Sequence, residues 1–300
     1  ELGLGDSNRR SSPTQVPGTR WRQVTSSGNA GACIRTDGTL WLWGNDGNGQ
    51  LGQNNRTSYA SPVQIYGEGS TWSRICGGDS WYLATKTDGT MWSWGENAQG
   101  QLGIGNKTQR SSPIQIPGTN WSDICTQRDQ AWAIRTDGSL WSWGSNNEGQ
   151  LGHNNKTEYS SPRQVGTSGG WARLADLDPR AGGTAMATKT DGTLWMWGRS
   201  GDFGILCNGG AGGSFDRSSP IQVPGTNWST TIRPYCNSQN GAAIKTDGTG
   251  WIWGGSEDGN LGRNVSQTEA NARTSSPVQL PGSWQYLRPT GSGCFGVKSG

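Results

Sequence analysis

The chain predicts an all-β fold: a β-propeller of six blades, each of four antiparallel strands, in one domain over residues 1–300. Three observations predict it. A motif that opens TDGTLWLWGNDGNGQLG at Thr36 returns from Thr87, Thr136, Thr190 and Thr246. Its aspartates, Asp37, Asp88, Asp137, Asp191 and Asp247, lie 51, 49, 54 and 56 residues apart, and each is followed 14 residues later by Leu51, Leu102, Leu151, Ile205 or Leu261. A Ser-Pro segment recurs six times, ending in Pro13, Pro62, Pro113, Pro162, Pro220 and Pro277. Four strands per ~50 residues is the spacing of propeller blades.

The strands of one unit follow in order. Strand A begins at a tryptophan: Trp21, Trp72, Trp121, Trp171, Trp228 or Trp284. Strand B precedes Asp-Gly, a dipeptide suited to a tight hairpin because Gly accepts positive φ and Asp bonds its own backbone. Strand C is the WxWG segment. Its two indoles, such as Trp41 and Trp43, are two residues apart and so share one face. A polar Asn/Gly loop leads to strand D, the Pro-Val-Gln-Ile segment.

Closure of the sixth blade is incomplete by this count. Residues 1–16 supply its strand D and residues 284–300 its strands A and B, so the strand lacking is a WxWG strand, about 12 residues. Truncation of a longer polypeptide is expected first. A strand-donating chain, self-assembly, or a three-stranded closing blade is the alternative, and a seventh blade outside these residues stays open.

Composition narrows the function. Gly numbers 50 and hydrophobic residues make only 30%, yet 18 Trp supply enough buried area for a core. No stretch reaches the ~18 apolar residues of a membrane span. Net charge is +3 with no basic block, which gives little for nucleic acid to bind. The six cysteines, 33, 76, 125, 207, 236 and 294, lack zinc spacing. They fit either small buried side chains or one or two disulfides of a secreted chain. The single histidine, His153, leaves no His-based triad or metal cluster. The five symmetric aspartates are turn formers, and no Gly-rich loop opens a helix. No enzyme, cofactor or metal is expected.

The units resemble repeats of the regulator of chromosome condensation family, and Ala131–Gly152 reads like its consensus. The resemblance covers nearly all of the chain and implies blades around a central channel. It also implies nucleotide exchange on a small GTPase with chromatin attachment. The chain departs from that pattern where the family's usual His, seven before the Asp, is replaced by Ala30, Trp81, Gln130, Thr184 and Asn240. No wedge-like hairpin insertion or basic N-terminal arm is present.

Candidate sites fall on one face. In an antiparallel blade the A–B and C–D connections emerge together, and the expansions at 175–183, 198–217 and 254–274 all lie on that side. Function concentrates on such loops. Trp81 occupies a slot that is polar in other units; with Asp79, Tyr82, Arg128 and Asp129 it either lines a binding surface or is an ordinary packed aromatic. Asn-x-Ser/Thr sequons begin at Asn55, Asn106 and Asn155, in one repeated loop slot, and at Asn120, Asn227 and Asn264. They are possible glycosylation sites or a by-product of the repeat.

The leading expectation is therefore a non-enzymatic recognition or structural module. It would be extracellular, surface-associated, or part of a virion or appendage, and would meet a protein or glycan on the long-loop face. A guanine-nucleotide exchange factor or other small-GTPase-binding propeller is the second expectation, and a lectin with one site per blade the third.

Overall fold

A computed structural model describes residues 2–65, 69–178, 182–255, 261, 274–290 and 293–299. Most of the expected expansion at 254–274, including Asn264, lies outside the described residues, as do 179–181. The chain forms two compact units. The first comprises Glu1–Thr136, Trp143–Ser145 and Glu158–Arg163, and the second Asp137–Ser142, Asn146–Thr157 and Gln164–Gly300.

Strands form where the repeats predict them. The first sheet is β1 (Trp21–Ser27), β2 (Ala30–Arg35), β3 (Leu40–Gly44) and β4 (Tyr59–Gln64), in that order. The second is β5 (Trp72–Gly77), β6 (Trp81–Lys86), β7 (Met91–Gly95) and β8 (Arg110–Ile116). The third repeats the order with β9 (Trp121–Gln127), β10 (Gln130–Arg135), β11 (Leu140–Gly144) and β12 (Tyr159–Gln164). The strands of the first two sheets pair antiparallel, as do β9 and β10, with the B strand opposite WxWG, as in Gly31 with Trp43 and Tyr82 with Trp94. The core in the first unit is Ile34, Leu40, Leu42, Leu51, Ile75 and Trp94, all buried.

The fourth and fifth sheets depart from the pattern. In the fourth, β13 (Trp171–Leu174) stops early. The chain continues as β14 (Asp176–Leu177), which pairs in parallel with β18 (Tyr235–Cys236) of the fifth sheet. The fourth sheet is completed by β15 (Thr184–Lys189), β16 (Leu194–Gly198) and β17 (Arg217–Gln222). In the fifth, only Trp228 of the expected A strand makes an isolated bridge, to Lys245, before Pro234 and β18. That sheet adds β19 (Asn240–Ile244), β20 (Thr249–Gly254), β21 (Thr274–Pro289) and β22 (Cys294–Lys298). Arg233 holds the splice, donating to the Leu174 carbonyl and standing 3.7 Å from the Asp176 carboxylate.

Six blades are expected and five sheets are found. The reason lies in β21, which runs through Pro281-Gly282 without a break, so residues expected to open a sixth sheet extend the fifth. Residues 284–299 contain no WxWG segment that would make a separate sheet around β22. At the other end, the strand D expected from residues 1–16 is not formed among the described residues. Gly3 nevertheless lies against the Trp43 indole as Gly52, Gly103 and Gly152 lie against Trp94, Trp143 and Trp197. Gly3 thus takes the Gly place of a repeat, although Leu2 is 47% exposed where Leu51, Leu102 and Leu151 are fully buried.

Candidate functional site

The repeats build two polar structures at opposite ends of the WxWG strand. The first surrounds the Asp-Gly turn. In the second sheet Asp88 Oδ1 accepts from Thr90 N at 2.9 Å and Thr90 Oγ1 at 2.7 Å, and Thr90 Oγ1 accepts from Trp92 Nε1 at 2.9 Å. The same relay recurs at Asp37, Asp137, Asp191 and Asp247. The turn hydrogen bonds hold the carboxyls of Asp37, Asp88, Asp191 and Asp247 below the usual carboxylate range. Two residues before each turn Asp stands a cation packed on indoles. Lys86 Nζ lies 4.8 Å from the Trp72 ring centroid and 4.1 Å from that of Trp92. Lys189 and Lys245 are placed alike between Trp171 and Trp195 and between Trp228 and Trp251. Arg35 lies between Trp21 and Trp41. Sequence reasoning missed these cations; a basic residue two before every turn Asp was the available signal.

The second structure is the loop after WxWG. The second indole of each pair is buried, and in four of the five its N–H reaches a main-chain carbonyl of the preceding repeat. Trp94 donates to Gln50 O, Trp143 to Gln101 O, Trp197 to Gln150 O and Trp253 to Ile205 O, each at 2.8 Å. The Gln side chains close their own loops, accepting from the backbone N–H of Asn48, Gln99 and Glu148. Asn97 Oδ1 accepts from Leu102 N, and its Nδ2 donates to Asn106 O and Thr108 O. This is scaffold chemistry: a buried donor is satisfied without depending on the identity of the acceptor's side chain.

The residues expected to line a binding surface do come together, but not as expected. Trp81 and Tyr82 are both fully buried. Trp81 Nε1 donates to the Arg128 carbonyl at 2.5 Å, and Asp79 N donates to that same oxygen at 3.1 Å. Tyr82 stacks on Trp94 with centroids 5.8 Å apart, and burial pushes its hydroxyl well above the ordinary range. Neither ring lines an open surface, because the slot is used to tie the second sheet's A–B turn to the third's. The neighbouring turns are tight. A Cβ on Gly28, at φ 55°, would collide with the Asp79 carbonyl, and Arg128 itself adopts φ 43°. Asp79 and Arg128 remain exposed and Asp129 half-buried. Glu96 is half-buried near them; burial, then the fields of Asp129 and Asp79, push its carboxyl up. Burial, then Asp79, raise Asp129 likewise.

The sequon asparagines are loop formers. Asn55, Asn106 and Asn155 each accept a hydrogen bond at Oδ1 from the Thr N–H two residues on, and donate from Nδ2 to a carbonyl two residues back. Asn55 and Asn106 are exposed and Asn155 half-buried. His153 Nε2 meets Ser142 Oγ at 3.0 Å. No disulfide joins the six cysteines, and burial pushes the Cys33 thiol up to about 11. Among the described residues, no three His, Cys, Asp or Glu gather as metal ligands.

Five sheets built from one repeated unit, four of them carrying the same indole latch, define a β-propeller of the repeat-protein class. The regulator of chromosome condensation (RCC1) repeat matches residues 37–84, 88–126 and 137–173, so the chain carries repeats of that kind over this stretch. It is 32% identical over 121 residues to the ultraviolet-B receptor UVR8 of Arabidopsis thaliana, covering 39% of this chain and 28% of the relative. It is 38% identical over 106 residues to human protein RCC2, covering 34% of this chain and 20% of the relative. The matches thus span well under a third of these relatives' lengths. Among solved structures it resembles Prp20p of Saccharomyces cerevisiae, whose binding to Gsp1p and histones was described with it. The TM-score is 0.69 at 18% identity, covering 86% of this chain and 63% of that one.

Proposed function

We propose that this chain is a protein-binding propeller of the regulator type, and that a small GTPase is the partner class it serves. Kinship with RCC1-repeat proteins supports this reading over an extracellular structural module, since none of the relatives described above is named as one. The observation that carries it is the tied pair of A–B turns. The buried Trp81 indole and the Asp79 N–H both bind the Arg128 carbonyl, so Asp79, Arg128 and Asp129 project from a base that is already ordered. A preordered surface loses little entropy on docking, which favours affinity. In this reading the propeller positions a partner and performs no chemistry of its own.

The test uses the whole chain and a Ran-like GTPase loaded with a fluorescent guanine nucleotide. Binding, or faster nucleotide release, that is lost on Asp79→Lys with Asp129→Lys supports the reading. Absence of binding at high micromolar concentration ends it for that partner. A basic protein segment, such as a histone tail, is the second reading. The clustering of Asp79, Glu96 and Asp129 favours it: beyond burial, the field of Asp79 raises the carboxyls of both Glu96 and Asp129. A glycan has less support, because each repeated indole of the turn relay is half-buried and already engaged.

A further inference from the structure

One loop breaks the repeat's own rule. Asp46 stands in the first repeat where Asn97 and Asn146 stand in the second and third. In the latter two, Oδ1 accepts from the Leu N–H five residues on, at 3.0 and 2.9 Å. Their Nδ2 atoms donate to carbonyls nine and eleven residues on: Asn106 and Thr108 at 2.9 and 3.0 Å, and Asn155 and Thr157 at 3.0 and 2.9 Å. Asp46 keeps the first contact, with Oδ1 accepting from Leu51 N at 2.8 Å. It is fully buried, and its Oδ2 has no hydrogen-bond partner. The rest of the loop keeps equivalent hydrogen bonds. Gly49 N donates to Asp46 O as Gly100 N does to Asn97 O, and Thr57 N donates to Asn55 Oδ1 as Thr108 N does to Asn106 Oδ1. The carbonyls nine and eleven residues after Asp46 are those of Asn55 and Thr57.

Oδ2 therefore takes the place of a donor and faces acceptors. Oxygen against oxygen in a buried site needs a hydrogen between them. A proton adds no volume to a site with no exposed surface. A hard cation would want six or more oxygens, more than this loop presents.

We infer that the Asp46 carboxyl is held protonated in the closed first loop, donating from Oδ2 to the Asn55 and Thr57 carbonyls, and that losing this proton loosens that loop alone. Physical chemistry agrees in direction. Burial pushes the carboxyl up to about 6, while the Leu51 N–H and the field of Arg56, the charged group that reaches it, act the other way. The folded value is raised, so the loop binds a proton more tightly closed than open. Closure is at full strength below the ordinary carboxylate pKa and weakens as pH rises from there through about 6.

The test is hydrogen exchange at the amide of Leu51 in the intact chain, with Leu102 and Leu151 as internal controls. Corrected for intrinsic rates, the opening of Leu51 should rise roughly 100-fold between pH 4 and pH 7, the ratio set by a shift of about two units, while the controls stay level. Asp46→Asn should flatten the profile and protect Leu51 at pH 7. Asn97→Asp should give Leu102 the same slope, and either substitution suffices if the other fails to fold. The Asp46 carboxyl resonance should titrate near 6 in the native chain. A midpoint below 4, or Leu51 tracking its controls, overturns the inference. So does protection at pH 7 that calcium or sodium ions restore and a chelator removes, which would make the site a cation's.

Discussion

The two ends of the WxWG strand put the same amino acid to different uses. At the turn end, Trp92 is half-buried, gives its N–H to Thr90 two residues away, and packs on Lys86. These partners of the Trp92 side chain belong to its own sheet, although the turn's Gly89 carbonyl also accepts from Trp121 N of the next sheet at 3.1 Å. At the loop end, Trp94 is fully buried and gives its N–H to Gln50, 44 residues earlier. The indole at the turn end shapes its own hairpin; the indole at the loop end ties its repeat to the one before. One motif thus carries both a local and a long-range instruction, and the two should fail differently.

The largest effect should come from the loop end. Trp143→Ala removes a buried indole and leaves the Gln101 carbonyl without its donor. A loss of about 3–5 kcal/mol is expected, read as a lower denaturation midpoint with exchange protection lost in the second and third sheets. Equal loss confined to residues near Trp143 would break the distinction. Lys86→Met keeps the stem between Trp72 and Trp92 but removes the charge. It should cost about 1 kcal/mol, with no change at the neighbouring repeat's loop. The smallest effect is acid sensitivity of the turns. Their carboxyls are depressed, so the stability they add is complete above the usual carboxylate range and is lost only as pH falls through their lowered values. Carboxyl titration of Asp88→Asn against the parent chain checks this; turn carboxyls titrating at or above the usual range would contradict it.

Much of this was legible in the sequence. Asp-Gly followed by WxWG fixed strands B and C in all five repeats, because turn chemistry and the two-residue period are local properties. The tie between Trp81 and Arg128 was not legible. A tryptophan in a slot of Ala, Gln, Thr and Asn reads either as a surface feature or as a packed aromatic until the next turn's carbonyl is seen beside it. The acidic Glu96 beside Asp129 was missed because the two belong to different repeats and no period relates them. The parallel pair β14–β18 replaces a regular A strand, and only Pro234 hinted that the fifth repeat departs there. Five sheets appear instead of six because β21 bends through Gly282, at φ 98°, instead of stopping. The anomaly at Asp46 was visible as a single letter change among Asn97 and Asn146, but its meaning required knowing what the asparagines donate to.

The indole latch closes on a main-chain oxygen, and Trp253 makes it with Ile205 at the same 2.8 Å that Trp94 makes with Gln50. A clasp of that kind is blind to side chains. Loop tips on this scaffold are therefore free to diversify in sequence while the order of the blades is inherited unchanged.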